Sequence, residues 1–308
     1  MGLVFHYTTS EAAVDILRSH SLWFTDCEYL NDPTEIGYCY QLYRDAWENV
    51  QQSAGESDSS SYGLLVDQLN PYETYLNIDG GATSARARYY AFSTSLQSDN
   101  VGMWAAYARA RDAAGCILVF DADELRCALE TLVAQNSAKG CYADTLHGRV
   151  SYDYRETFDQ MVRWIRDYCI CQKQVEYQGI ASLDSVMLQE ELRAEHWGRL
   201  SHRAPFIKSP GFAFEQEYRF VVRATEGPWT LQDGCESGVC PCFRTGFHGM
   251  VTPYLEIAIR HETFARVLRE VRVAESGERS LGRAGMERLL SHLGYKKVAV
   301  VDAGIGLR

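Results

Sequence analysis

The chain has 308 residues, of which 46% are hydrophobic and 23% charged, and its formal net charge is −11. These values are typical of a globular protein with room for a sizeable core. The acidic balance argues against a protein that coats nucleic acid, because such binding neutralises phosphates with many basic side chains. The longest apolar runs, such as residues 116–120, have the length of strands and are too short to span a bilayer.

The first residues lack a basic segment followed by a long apolar stretch, so we expect no secretory signal and a cytoplasmic location. Ten cysteines are scattered along the chain, and we expect most of them to be buried small hydrophobic side chains or free thiols. The cluster Cys235, Cys240 and Cys242 lacks the paired spacing of zinc ligands, so no metal is expected.

Strands and helices alternate irregularly in the first half of the sequence. Residues 3–7 have the composition of a strand, and Thr8 with Glu11 forms a capping box that predicts a helix. Asp32 and Glu35 predict the start of a second helix in the same way. Further strands are predicted at residues 22–24, 89–95, 116–120 and 150–154.

The second half begins with two long helical patterns between residues 155 and 205, which we interpret as a helical insertion. Residues 214–223 predict a strand, and residues 225–250 lack periodicity and predict a long loop. Later strands are predicted at residues 254–259, 271–274 and 298–301. The pattern predicts one α+β domain over residues 1–308, with the insertion at 155–205.

Two acidic residues on the late strand form the first candidate site. In a strand, side chains two apart point to the same face about 7 Å apart, so Glu215 and Glu217 would lie beside Arg219. Such a pair of carboxylates is suited to an active-site wall. The alternative is a solvated strand face with an exposed Glu–Arg pair.

Two carboxylates suit the cleavage of the bond between nicotinamide and ribose, which passes through an oxocarbenium-like transition state. Glu217 would accept a hydrogen bond from the ribose 2′-hydroxyl and stabilise the developing cation by about 3 kcal/mol. Glu215 would orient or deprotonate the acceptor.

Polar groups near the N-terminus form a second candidate. His6 ends a predicted strand and could donate to a ribose hydroxyl while Tyr7 packs or stacks. The helix that follows Thr8 would offer backbone N–H groups to a pyrophosphate. The alternative for His6 is a hydrogen-bonded histidine in the core or in a turn.

The middle strand and the helix after it complete the constellation. Ser93 and Ser95 share one strand face, where small hydroxyls allow close approach of a ligand, although an ordinary edge strand would look the same. Trp104 and Tyr107 are neighbours on one helix face and could wall a nicotinamide pocket, although core packing explains such a pair equally well.

The segments His6-Tyr7-Thr8, Phe92-Ser93-Thr94-Ser95 and Glu215-Gln216-Glu217 resemble the three strand motifs of ADP-ribosyltransferases. That resemblance implies split mixed or antiparallel sheets flanked by helices, NAD as co-substrate without a metal, and Glu217 as the catalytic residue. It further implies a protein or nucleic-acid acceptor and a role as toxin, effector or defence enzyme, delivered in some cases to a target cell and held in check by an inhibitor or antitoxin protein.

The chain also resembles a bacterial family of uncharacterised proteins, and this second resemblance covers more of the sequence. Its pattern is His-Tyr-Thr, Asn-Asp-Pro-x-Glu, Ser-x-Ser, Trp-x-x-Tyr, Gly-Cys-Ile and Glu-x-Glu-Tyr-Arg. These motifs occur here at 6–8, 31–35, 93–95, 104–107, 115–117 and 215–219.

Three interpretations therefore stand beside one another. The first is an enzyme that transfers ADP-ribose from NAD and releases nicotinamide, or an NAD glycohydrolase using the same residues. The second is a non-catalytic nucleotide sensor on the same fold. The third is an interaction module whose polar strand face is merely solvated.

Overall fold

The computed structural model describes residues 2–30, 34–55, 87–108, 115–137, 142–177, 183–225, 238–246, 249–275 and 279–306. The chain divides into two compact units. The first contains residues 1–31, 87–150 and 211–308, and the second contains residues 32–86 and 151–210. Asp32, the predicted cap of the second helix, lies outside the described residues.

Ten strands of the described residues form one sheet in the first unit. Their bounds are β1 Leu3–Thr9, β2 Ser21–Asp26, β3 Ala87–Ser95, β4 Gly115–Asp121, β5 Tyr142–Arg149, β6 Glu217–Thr225, β7 Val239–Thr245, β8 Val251–Ala258, β9 Leu268–Glu275 and β10 Ala299–Gly306. The spatial order is β10-β9-β4-β1-β3-β2-β8-β7, and β6 pairs with both β3 and β5. Only β9 and β10 pair in parallel among these strands. The expected α+β class with a mixed sheet flanked by helices is confirmed.

The helices belong to both units. Their bounds are α1 Ser10–Ser19, α2 Glu35–Gly55, α3 Val101–Met103, α4 Ala122–Ser137, α5 Tyr154–Tyr177, α6 Leu183–Arg203, α7 His261–Val267 and α8 Arg279–His292. A single π-helical turn, Trp104–Ala108, continues α3. In the part of the chain that the structure describes, no helix combines the length and apolarity needed to cross a membrane.

Strand β3 is the centre of the sheet. Strand β6 runs along one edge of β3 for its whole length, with Ala87 opposite Thr225 and Ser95 opposite Glu217. The other edge is shared, because β2 pairs near Ala91 and β1 pairs only at Ser95. The strands β1 and β2 therefore part from each other along β3 at the position of Ser93.

The two faces of the sheet carry different apolar clusters. Phe24, Phe92 and Phe220 lie on one face, in a large core completed by α1, α4, α7 and α8. Phe5 and Tyr7 lie on the opposite face, where the π-turn covers them. The odd-numbered residues of β1, β3 and β6 thus share a face with the π-turn.

The second unit has its own core. Helices α2, α5 and α6 pack around Tyr43, Met161 and Ile165. Buried Lys208 forms an ion pair with Glu35 at the start of α2, with Nζ and Oε1 3.0 Å apart. Helices α5 and α6 occupy the range in which the sequence predicts helices.

Three local predictions are wrong. Residues 150–154, expected to form a strand, follow the end of β5 and run into the start of α5. The cap of α1 is Thr9, whose hydroxyl accepts from the Ala12 N–H at 3.2 Å, and Thr8 belongs to β1. The segment expected to be a loop contains β7, although that strand carries Pro241. A proline is tolerated there because β7 lies at the end of the strand order and one side of it needs no ladder donor.

Candidate functional site

The three segments singled out in the sequence lie on adjacent strands. Phe5 of β1 is opposite Ser95 of β3, and Ser95 is opposite Glu217 of β6. Ser93 is opposite Arg219 in the same register. Because directly opposed residues project to the same face, Ser93, Ser95, Glu217 and Arg219 share the face covered by the π-turn.

A buried ion pair fixes the carboxylate of Glu217. The Arg219 Nε and Nη2 atoms donate to its two oxygens at 2.5 and 3.0 Å, so the guanidinium binds it as a fork. Glu217 is 4% exposed and Arg219 1%. The fork thus supplies a charged donor to each carboxylate oxygen in a site from which water is largely excluded.

Glu215 reaches the same region from a different local structure. It is the last residue of the 3-10 helix Pro210–Glu215, and β6 begins only at Glu217. Between them Gln216 has a φ of 44°, in the left-handed region that a non-glycine side chain seldom adopts. The prediction that Glu215 belongs to the strand is therefore wrong.

Ser95 and Tyr107 hold Glu215 in place. The Ser95 hydroxyl donates to the Glu215 carbonyl at 2.7 Å, and it accepts from the Gln97 N–H at 3.1 Å. The Tyr107 hydroxyl donates to Glu215 Oε1 at 2.5 Å. Both hydrogen bonds of Ser95 go to the main chain, so this hydroxyl stabilises the chain entry into β6. Ser93, two residues earlier, is half-buried.

His6 projects to the other face. Its imidazole packs on the Phe92 ring with centroids 4.5 Å apart, and Phe92 belongs to the large core. Burial lowers its pKa to about 4, so the ring is neutral near pH 7. The Nδ1–H then donates to the Ser93 carbonyl at 3.0 Å, and Nε2 bears a lone pair.

This arrangement differs from the prediction for His6 and Thr8. The His6 ring occupies the place where β1 and β2 part along β3, and it supplies the Ser93 carbonyl with a donor. Its remaining nitrogen accepts and does not donate. Thr8 lies on the same face as His6, opposite Cys116 of the large core. Neither residue is brought to Glu217.

Tyr7, by contrast, lies on the face of Glu217. Its hydroxyl donates to the Gln97 carbonyl at 2.7 Å and accepts from the Asn100 N–H at 3.1 Å. Burial raises its pKa. The Tyr7 ring meets Trp104 edge-on, with centroids 5.7 Å apart. Tyr7 therefore anchors the loop that leads into the π-turn.

The π-turn is built around close backbone approach. A Cβ on Gly115 would lie 1.9 Å from the Ala108 carbonyl oxygen, so only glycine fits at the start of β4. Trp104 is fully buried, and its indole N–H has no hydrogen-bond partner among the described residues. The widened turn places Tyr107 against Glu215. Such turns occur often at functional sites.

Sequence reasoning missed one pair in the second unit. Glu35 was attributed to helix capping, yet it is 2% exposed and bound to Lys208, which is 1% exposed. Since the partners are far apart in sequence, only the presence of Glu35 in the family pattern pointed to a further role.

The described residues include both free and disulfide-bonded cysteines. Cys39, Cys116 and Cys169 are buried free thiols, whereas Cys240 is disulfide-bonded, which the expectation of thiols did not foresee. Across the ranges that the structure describes, no group of three or more His, Cys, Asp or Glu side chains has the arrangement to hold a metal ion.

The middle part of the chain matches a known protein family. Residues 103–220 match the family model "Protein of unknown function (DUF2971)". The predicted resemblance to an uncharacterised family is confirmed in this region. The DUF2971 match takes in Tyr107, Glu215 and Glu217, while His6 and Ser95 lie before it. No curated protein matches the chain, and no solved structure does.

Proposed function

We propose that this protein is an NAD-dependent ADP-ribosyltransferase in which Glu217 acts on the nicotinamide ribose. The observation that carries the proposal is the alignment of Phe5, Ser95 and Glu217 across three adjacent strands. It brings together the segments that resemble the transferase motifs, although they are far apart in sequence. The resemblance implies split sheets, and here β1 and β2 share one edge of β3 within a single sheet.

The chemistry assigned to Glu217 is electrostatic. The C1′–N bond of NAD breaks, nicotinamide leaves with the bonding electron pair, and positive charge develops on the ribose. Glu217, held by Arg219, accepts a hydrogen bond from the ribose 2′-hydroxyl and stabilises that charge. An acceptor heteroatom then bonds to C1′ and its proton goes to Glu215. If water takes the place of the acceptor, the same residues perform NAD hydrolysis.

The remaining residues divide between binding and support. Tyr7, Trp104 and Ser95 lie on the face of Glu217 and would shape the nicotinamide side of the site. His6 and Thr8 lie on the other face, so in this proposal His6 supports the site through the Ser93 carbonyl. Because Glu217 is 4% exposed, NAD must displace neighbouring side chains to reach it.

The biological setting follows the resemblance. The enzyme would act in the cytoplasm of its own cell, or of a target cell as a toxin, effector or defence enzyme. Its acceptor would be a protein or a nucleic acid, and an inhibitor protein would be a natural partner.

The direct test is incubation with NAD labelled in the adenylate part and a cell lysate, with nicotinamide release and label transfer as readouts. Glu217→Gln is expected to lower both by at least about 100-fold. Glu287→Gln, which removes a half-exposed carboxylate from a surface pair with Arg283, is the matched control and should change neither. Melting temperatures establish that each variant is folded. A folded wild type that releases no nicotinamide would contradict the proposal.

A second candidate is a nucleotide sensor that binds without turnover. The fork from Arg219 and the burial of Glu217 favour it, since they hold the carboxylate in a structural contact. In this case NAD or a related nucleotide would raise the melting temperature of the protein with no release of nicotinamide.

A further inference from the structure

A short hydrogen bond joins the side chains of Tyr107 and Glu215. The Tyr107 hydroxyl lies 2.5 Å from Glu215 Oε1, a short bond of the kind formed by a hydroxyl and an ionised carboxylate. Glu215 is 1% exposed, so water supplies little of the solvation that its carboxylate needs. A role for Tyr107 as a wall of the nicotinamide pocket does not account for this bond.

The main chain around Glu215 is held from the same side. The Ser95 hydroxyl donates to the Glu215 carbonyl at 2.7 Å. The Asn100 side-chain amide donates to the Phe214 carbonyl, and Gly102 lies so close to the Phe214 ring that a Cβ there would be 2.8 Å from it. The segment that carries Tyr107 therefore grips both the backbone and the side chain of the segment that carries Glu215.

The position of Tyr107 is set by backbone packing. The π-turn ends at Ala108, whose carbonyl rests on Gly115, and it begins at fully buried Trp104. Because both ends of the turn are fixed, the Tyr107 phenol already lies against Glu215 and loses little side-chain freedom when the bond forms.

We infer that Tyr107 is a positioning residue that holds the Glu215 carboxylate for proton transfer from the acceptor. The inference rests on the proposed transferase function and extends it. In the step, the acceptor heteroatom forms its bond to C1′ while its proton passes to Glu215. Tyr107 keeps its own proton and donates to one carboxylate oxygen throughout. Tyr107 thus acts through Glu215 and stabilises the ionised, proton-accepting form.

The test is a double-mutant cycle on the rate of nicotinamide release from NAD, with whole-cell lysate as the source of acceptor. Tyr107→Phe is expected to lower kcat by about 10- to 100-fold with little change in the KM for NAD. It should also move the acidic limb of the pH–rate profile to higher pH, because the carboxylate loses a donor. In a Glu215→Gln background the same substitution should have almost no further effect on kcat.

Tyr295→Phe is the matched control. It removes another phenol from the first unit, one that donates to the Leu17 carbonyl at 2.9 Å. It should lower the melting temperature and leave kcat and the pH profile unchanged. An active wild type whose kcat is insensitive to Tyr107→Phe would overturn the inference alone. The inference would also be overturned if Tyr107→Phe raised the KM for NAD at constant kcat, or if it lowered kcat equally in the wild-type and Glu215→Gln backgrounds. A wild type that releases no nicotinamide would overturn the proposed function, and the inference with it.

Discussion

The Ser95 hydroxyl donates a 2.7 Å hydrogen bond to the main-chain carbonyl of Glu215, and so ties the central strand to the point where the chain enters β6. Both partners are almost completely buried. Ser95 and Glu215 are 120 positions apart in the sequence. This hydrogen bond stabilises the left-handed turn at Gln216, which separates Glu215 from Glu217.

Ser95→Ala is expected to destabilise the protein by about 1–3 kcal/mol, because it removes the hydroxyl that donates to the buried Glu215 carbonyl and accepts from the Gln97 N–H. The matched control is Ser93→Ala, two residues earlier on the same face and half-buried, with an expected loss below about 0.5 kcal/mol. Urea denaturation followed by fluorescence measures both. Equal losses for the two variants would contradict the importance of the tie.

Arg219→Met is expected to cost about 3–5 kcal/mol, since it leaves Glu217 as a buried charge without its fork. The double variant Arg219→Met/Glu217→Gln should recover part of that loss, because the charge that needed a partner is gone. Arg283→Met, which breaks a half-exposed pair, should cost less than about 1 kcal/mol. Denaturation midpoints compare the three variants, and a double variant no more stable than Arg219→Met would argue against a charge effect.

Stability is expected to fall as the pH drops from about 6.5 to about 4. Burial lowers the pKa of both His6 and His196 to about 4, so the unfolded chain binds protons in this range that the folded chain does not. Each histidine would contribute at most about 3 kcal/mol to this loss, which levels off below pH 4.

Melting temperatures measured against pH test this expectation. His6→Gln and His196→Gln should each flatten the decline, whereas the exposed His292→Gln should leave it unchanged. Identical profiles for wild type and both buried-histidine variants would rule out His6 and His196 as its source.

Gly115→Ala is expected to destabilise the protein by more than about 2 kcal/mol, because the new Cβ meets the backbone carbonyl of Ala108, which has little room to move. Gly102→Ala offers a contrast, since its Cβ would meet the partly exposed Phe214 ring, and a ring can rotate away. Its cost should stay below about 1 kcal/mol. Melting temperatures of the two variants measure the difference. A larger loss for Gly102→Ala than for Gly115→Ala would show that the π-turn adapts to a new Cβ more easily than its packing indicates.

Composition and alternation predicted that β1, β3 and β6 are strands, and the resemblance to the transferase motifs implied that these three segments lie together. The sequence did not reveal which face of the sheet His6 occupies. Alternation alone separates His6 from Phe5 and Tyr7, but the pairing of Phe5 with Ser95 is needed to say which set faces Glu217. That register depends on tertiary contacts.

Other features left no periodic signal. The left-handed Gln216 looks like any strand residue in the sequence, so the predicted strand started too early. Strand β7 was missed because Pro241 and the cysteines beside it lack alternation. The buried pair of Lys208 with Glu35 joins two distant positions, and no local pattern connects them.

Strand β3, at the centre of the sheet, is synthesised long before its partner β6. Ser95 and its partner Glu215 are 120 residues apart, so at 5–20 residues per second β3 waits roughly 6 to 24 seconds for β6 to be synthesised. Contacts this distant in sequence also slow folding. During that interval one edge of an aromatic-rich strand lacks its partner, and an unpaired edge of this kind is a site at which chains aggregate.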